Sequence, residues 1–199
     1  MFFKEKQRSY RINVNNPVYC KMLTDDSAGV TYEPEIKSLG EAMQVQVTSQ
    51  TASGEIFGNG IKVNKEDRLV GMTLAMDITK IPPASAAEIL GHEVKDGVVI
   101  DNADDDAPYI AIGYQVDGTG KNKECVWLLK GKAQPINDSV QQRTTTINYS
   151  TQTLNVNFIN RKFDENLRFY ADSTHEDFTD EQADKWFLEP PIKPVFKRS

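Results

Sequence analysis

The sequence predicts a mainly β protein, an antiparallel β-sandwich or partly closed barrel with one short helix and a C-terminal helix. Three observations predict it. Apolar and polar residues alternate with period two over several stretches, the mark of strands with one buried face. Turn-forming runs, Gly58-Asn59-Gly60, Asp96-Gly97 and Asp117-Gly118-Thr119-Gly120, separate such stretches at hairpin spacing. Helix start and stop signals occur in two places only.

In chain order, an early strand is expected over about Asn15 to Met22, from Val18, Tyr19 and Cys20. Ala42 to Thr48 alternates cleanly, with Met43, Val45 and Val47 on one face and Gln44, Gln46 and Thr48 on the other. The Gly58-Asn59-Gly60 turn joins Glu55-Ile56-Phe57 to Ile61-Lys62-Val63. Leu69 to Ile78 places Val70, Met72, Leu74, Met76 and Ile78 opposite Leu69, Gly71, Thr73, Ala75 and Asp77. Pro82-Pro83 opens a helix through Leu90, because proline suits a first turn, and Gly91 stops it. Pro108 to Val116 and Lys123 to Leu129 form a hairpin, the first carrying Ile110, Ile112 and Tyr114, the second Cys125, Trp127 and Leu129. Thr153 to Phe158 sets Leu154, Val156 and Phe158 against Thr153, Asn155 and Asn157. Thr179 and Gln182 form a capping box for the last helix, which Pro190-Pro191 ends.

The chain has 199 residues, which suits one domain, with hydrophobic residues at 39% and charged residues at 26%. We place that domain at 15–189, between a basic N-terminal arm (1–14) and a C-terminal arm (190–199). The formal net charge of −6 argues against a protein that grips nucleic acid through its phosphates. No run of ~20 apolar residues could span a bilayer, and the start has no apolar leader. Asn148-Tyr149-Ser150 therefore matches the glycosylation pattern by accident.

Chemistry-bearing constellations are not evident. The cysteines Cys20 and Cys125 are far apart in sequence, so neither belongs to a zinc motif, and both read as reduced, semi-buried thiols. His92 and His175 read as polar loop residues. The acidic run Asp101 to Asp106 lacks the glycine and distal glutamate of a calcium loop and reads as a solvated connection. No nucleotide, hydrolase or metalloprotease signature occurs. No catalytic residue, metal site or cofactor is expected.

Several segments, taken in order, resemble the phi13-type major tail proteins, which form the tail tube of long-tailed bacteriophages of Gram-positive hosts. They are Asn16 to Met22, the block Ala87 to Val99 with its Leu90-Gly91-His92, Asp104 to Tyr114, Val126 to Lys132, Phe169 to Asp172 and Trp186-Phe187. The resemblance implies a non-enzymatic virion subunit that assembles in the host cytoplasm into stacked rings, usually hexameric. Their bore would pass genome DNA at ejection. It implies a tape measure protein and tail terminator or baseplate proteins as further partners, and no membrane.

On that expectation Met43, Val45, Val47, Met72, Leu74, Met76, Trp127, Leu154, Val156 and Phe158 fill the core. Gln44, Gln46, Thr48, Thr73, Asn155 and Asn157 face the lumen. Ser49 to Arg68 and Ile136 to Asn148 read as long, mostly polar connections, one or both of which order on ring stacking. The alternative is a monomeric β-sandwich binding module of a virion or cell surface, with Tyr114, Trp127 and the acidic loop facing a ligand.

Overall fold

A computed structural model describes residues 9–140, 142 and 150–193. The arm residues 1–8 and 194–199, most of the 141–149 segment and Asn148-Tyr149 of the glycosylation pattern lie outside the described residues. The chain runs β1 (Arg11–Asp25), β2 (Val30–Tyr32), β3 (Lys37–Ser38), β4 (Ala42–Gly58) and β5 (Ile61–Ile78) into α1 (Pro83–Leu90). It continues through β6 (Glu93–Lys95), β7 (Val98–Ile100), β8 (Tyr109–Gly118), β9 (Lys123–Ala133) and β10 (Asn137–Asp138). It then passes through β11 (Gln152–Phe158) and β12 (Arg168–Asp172) to α2 (Asp180–Lys185). All strand pairings are antiparallel, and the main sheet follows the order β2-β1-β8-β9-β11-β5-β4.

The sheet folds over itself at β9. Residues Glu124 to Leu128 of β9 pair with β12, and Gly131 to Ala133 pair with β11. The result is a sandwich of two leaves, not a closed barrel. One leaf is β4-β5-β11; the other is β1-β8-β9-β12. Between them lie Met72, Leu74, Met76 and Ile78 of β5, Leu154, Val156 and Phe158 of β11, and Ile110, Ile112, Val126 and Leu128 of the facing leaf. This is the period-two pattern expressed as burial. A second core covers the far face of β8-β9, where Cys20, Ala111, Cys125, Trp127, Leu129 and Phe169 pack under Phe178, Ala183 and Trp186 at α2.

Local signals explain the punctuation. Asn59 and Gly60 both have positive φ (51° and 79°), the type I′ geometry that matches strand twist, and Asp96-Gly97 repeats it between β6 and β7. The capping box at Thr179 and Gln182 is formed. At the end of α1, Gly91 adopts φ 78°, and a Cβ there would lie 2.5 Å from the Asp106 carbonyl oxygen. Only glycine meets both demands.

Three features differ from the sequence expectation. The first strand begins at Arg11, so residues 11–14 of the assigned arm are sheet, with Val14 opposite Val116. At the other terminus, Pro191 is buried and its carbonyl accepts from Arg161 Nη1 at 2.8 Å, so the start of the C-terminal arm is tied to the body. The largest difference is Ser49 to Arg68. It is not a loop but the continuation of β4 and β5 into one long hairpin, paired from Ala42–Ile78 to Gly58–Ile61 with three register shifts along the way.

Candidate assembly interface

Gln44, Gln46, Thr48, Thr73, Asn155 and Asn157 come from three strands, and the register brings them onto one face in aligned rows. Gln44, Asp77 and Thr153 form one row, Gln46, Ala75 and Asn155 the next, and Thr48, Thr73 and Asn157 the third. Amides and hydroxyls link the strands laterally: Gln50 Nε2 donates to Thr73 Oγ1 at 2.7 Å, and Thr73 Oγ1 donates to Asn157 Oδ1 at 3.2 Å. The one charged side chain in these rows is Asp77, which accepts from Thr153 Oγ1 at 2.5 Å. The opposite face of the same leaf is the core, where Met72, Leu74, Met76, Leu154, Val156 and Phe158 are buried. Trp127 is buried in the second core instead.

Val45 and Val47 are half-buried, and Met43 is 58% exposed. Met43 thus corrects the expected core set. A register irregularity separates Ala42 from Gln44, and at this end of β4 the facing leaf leaves the side chain uncovered.

The outer margin of this leaf is open. β4 pairs with β5 along its length, and among the described residues no strand pairs with its other side. It is 17 residues long, and its only charged residue is Glu55; it holds no lysine and no proline. The opposite edge strand, β2, has three residues. Natural sheets protect permanent edges by shortness, charge, proline or bulges; of these β4 has one charge, Glu55, and three register irregularities.

Beyond Thr48 the β4-β5 hairpin leaves the body as an arm. Every residue from Thr48 to Val70 except Gly58 is exposed. A β-bulge at Gln50/Thr51, opposite Leu69 to Gly71, marks the departure and turns Val70 out of the face it was expected to share with Met72. Cross-strand polar pairs hold the arm: Ser53 with Asp67 at 2.5 Å, and Lys62 with Glu55 at 2.6 Å. Its tip exposes Ile56, Phe57, Ile61 and Val63. A two-stranded ribbon is marginally stable alone, and these side chains leave its tip apolar and uncovered. The turn at Gly58-Asn59-Gly60 and the triplets Glu55-Ile56-Phe57 and Ile61-Lys62-Val63 stand at this tip as expected, but reading 49–68 as a polar connection missed the continuous arm that carries them.

The other candidates resolve into structure. His92 is largely enclosed, its Nδ1 2.6 Å from Asp105 Oδ2 and its Nε2 3.5 Å from Asp101 Oδ1. It clips the acidic loop to the end of α1, and the Asn102 backbone N–H and His92 together hold the Asp105 carboxyl below its ordinary range. His175 lies in the turn before α2. Among the described residues no group of His, Cys, Asp or Glu could hold a metal ion, and no helix is long and apolar enough to cross a membrane. Tyr114 and Trp127, the aromatics of the binding-module alternative, are both buried.

No local pattern points to Arg161, which is 1% exposed. It pairs with Asp164, contacts the Tyr32 hydroxyl, and stacks over the Phe169 ring at 5.0 Å.

Among the described residues the sandwich thus combines an open edge strand, a projecting arm and a near-neutral polar face. No protein-family model matches the chain, and no curated protein matches it in sequence.

Proposed function

We propose that this chain is the structural subunit of a bacteriophage tail tube, assembling into stacked hexameric rings that conduct genome DNA at ejection. The observation that carries the reading is the long, nearly uncharged, unpaired margin of β4. Pairing it with a neighbouring copy satisfies its backbone groups, and a head-to-tail contact that closes gives a ring. The polar rows of Gln44, Gln46, Thr48, Thr73, Asn155 and Asn157 then line the bore. Neutral amides and hydroxyls offer passing phosphates no cation to hold, and the net charge of −6 acts in the same direction. The arm serves contact between rings. The resemblance supplies the hexameric number, the place in the virion tail, and the tape measure, terminator and baseplate partners. No reaction and no cofactor enter the role.

Sedimentation velocity and negative-stain microscopy over rising protein concentration test it. Rings or tubes are the expected result. A monomer at every concentration, with antibody labelling of virions located away from the tail cylinder, overturns the reading.

A further inference from the structure

We infer that the tip of the arm seats in the open mouth of the sandwich of a second copy of this chain. The inference rests on the tube reading and names the contact that passes from one subunit to the next. The mouth is a cleft of about 620 Å³ between the start of β4 and the facing leaf. Met43, Val45 and Val47 line one wall, and Ile12, Val116 and Tyr170 the other. Met43, Ile12 and Tyr170 are exposed at its lip. The tip carries the matching chemistry, Phe57 with Ile56, Ile61 and Val63, all exposed.

Reach decides whose tip fills whose mouth. Mouth and tip stand at opposite ends of the same strand. At ~3.3 Å per residue, Val47 and Phe57 are about 33 Å apart, so no arm reaches its own mouth. The occupant is another copy, and where each tip passes to the next subunit instead of being exchanged within a two-fold pair, the contact propagates or closes into a ring.

Charge agrees. Arg168 lies on the cleft wall, stacked on the Tyr170 ring at 4.8 Å, and has no carboxylate partner among the described residues. Glu55 shares the Phe57 face of β4 by strand alternation, already paired with Lys62 at 2.6 Å, and arrives beside Arg168 with a carboxylate that can accept from both cations.

The test is a double variant, Phe57→Cys with Met43→Cys, in the full chain. Cys20 and Cys125 are buried, which keeps background crosslinking low. Mild oxidation of assembled protein is expected to give a ladder of crosslinked multimers on a non-reducing gel, which neither single variant gives. Tubes in the microscope without a ladder, or dimers from Phe57→Cys alone, overturn the inference and leave the tube reading standing. Wild-type protein that never assembles removes both. As a second readout, Phe57→Ser is expected to raise the assembly threshold roughly tenfold or more at unchanged monomer melting temperature. An unchanged threshold overturns the seat.

Discussion

Lys130 holds its ammonium 2.6 Å from the carboxylate of Asp25, with both side chains almost sealed from water. Asp25 also accepts the backbone N–H groups of Lys162 and Phe163, at 2.8 and 3.1 Å, so the pair fastens the end of β1 to the segment after β11. The Tyr109 ring lies 4.8 Å from the ammonium. Removing one member strands the other charge in the interior. Lys130→Met and Asp25→Asn should each cost about 3–5 kcal/mol in urea unfolding. The double variant should cost less than their sum by more than ~1 kcal/mol, because it leaves no lone charge. Additive losses would show that the pair acts as two independent contacts.

Cys20 and Cys125 sit in the outer core. Burial, the main cause for each, pushes both thiols up to about 12. At pH 8 they are protonated and enclosed, and the thiolate is the reactive form. A chromogenic disulfide reagent should therefore find no reactive thiol in native protein and both cysteines after guanidinium. Labelling of the native chain at the unfolded rate would contradict this.

What could be read beforehand was local. Leu154, Val156 and Phe158 showed their face because period and burial coincide on one short strand. The capping box of α2 lies within four residues. The arm was hidden for the converse reason: from Thr48 to Val70 both faces are exposed, so selection for burial leaves no alternation to detect. Alternation also names a face without showing how far the opposite leaf extends, which is why Met43 was misplaced. A bulge at Gln50/Thr51 shifted Val70 by one residue and reversed its side. The partners of Arg161 and Lys130 include Tyr32 and Asp25, more than a hundred positions away, and no local pattern encodes such a pairing.

Acid should unfold the protein through a small set of carboxylates. Burial opposes ionisation of Asp25, Glu88 and Asp164, yet their cationic and hydrogen-bonding partners outweigh it and hold all three below the ordinary carboxylate range. Those partners are Lys130 for Asp25, Lys37 and Tyr19 for Glu88, and Arg161 for Asp164. A depressed folded pKa means that the unfolded chain binds protons first. The stabilisation is complete above the unfolded value, near pH 4, and is lost as pH falls through the lower folded values. Melting temperature should be flat from about pH 5 to 7 and drop below about pH 4. Asp164→Asn should lower the neutral plateau and make the acid drop shallower. A melting temperature that rises on acidification would refute the assignment.

The free margin of β4 makes the sharpest demand. Gln46 and Thr48 are exposed, and no strand among the described residues covers the margin beside them. Lysine at such sites is how natural proteins keep an edge unpaired. The double variant Gln46→Lys/Thr48→Lys should thus melt within about 0.5 kcal/mol of wild type, as exposed substitutions do. Its assembly should fail at low salt, because every copy brings two new cations to the seam and the closed ring gathers all of them around the polar rows. High salt separates charge from sterics: at about 1 M the screening length falls to ~3 Å, so repulsion fades while a clash would persist. Light scattering across a salt series should show assembly returning as salt rises. If the variant assembles like wild type at low salt, β4 is not the seam, and the unprotected edge needs another explanation.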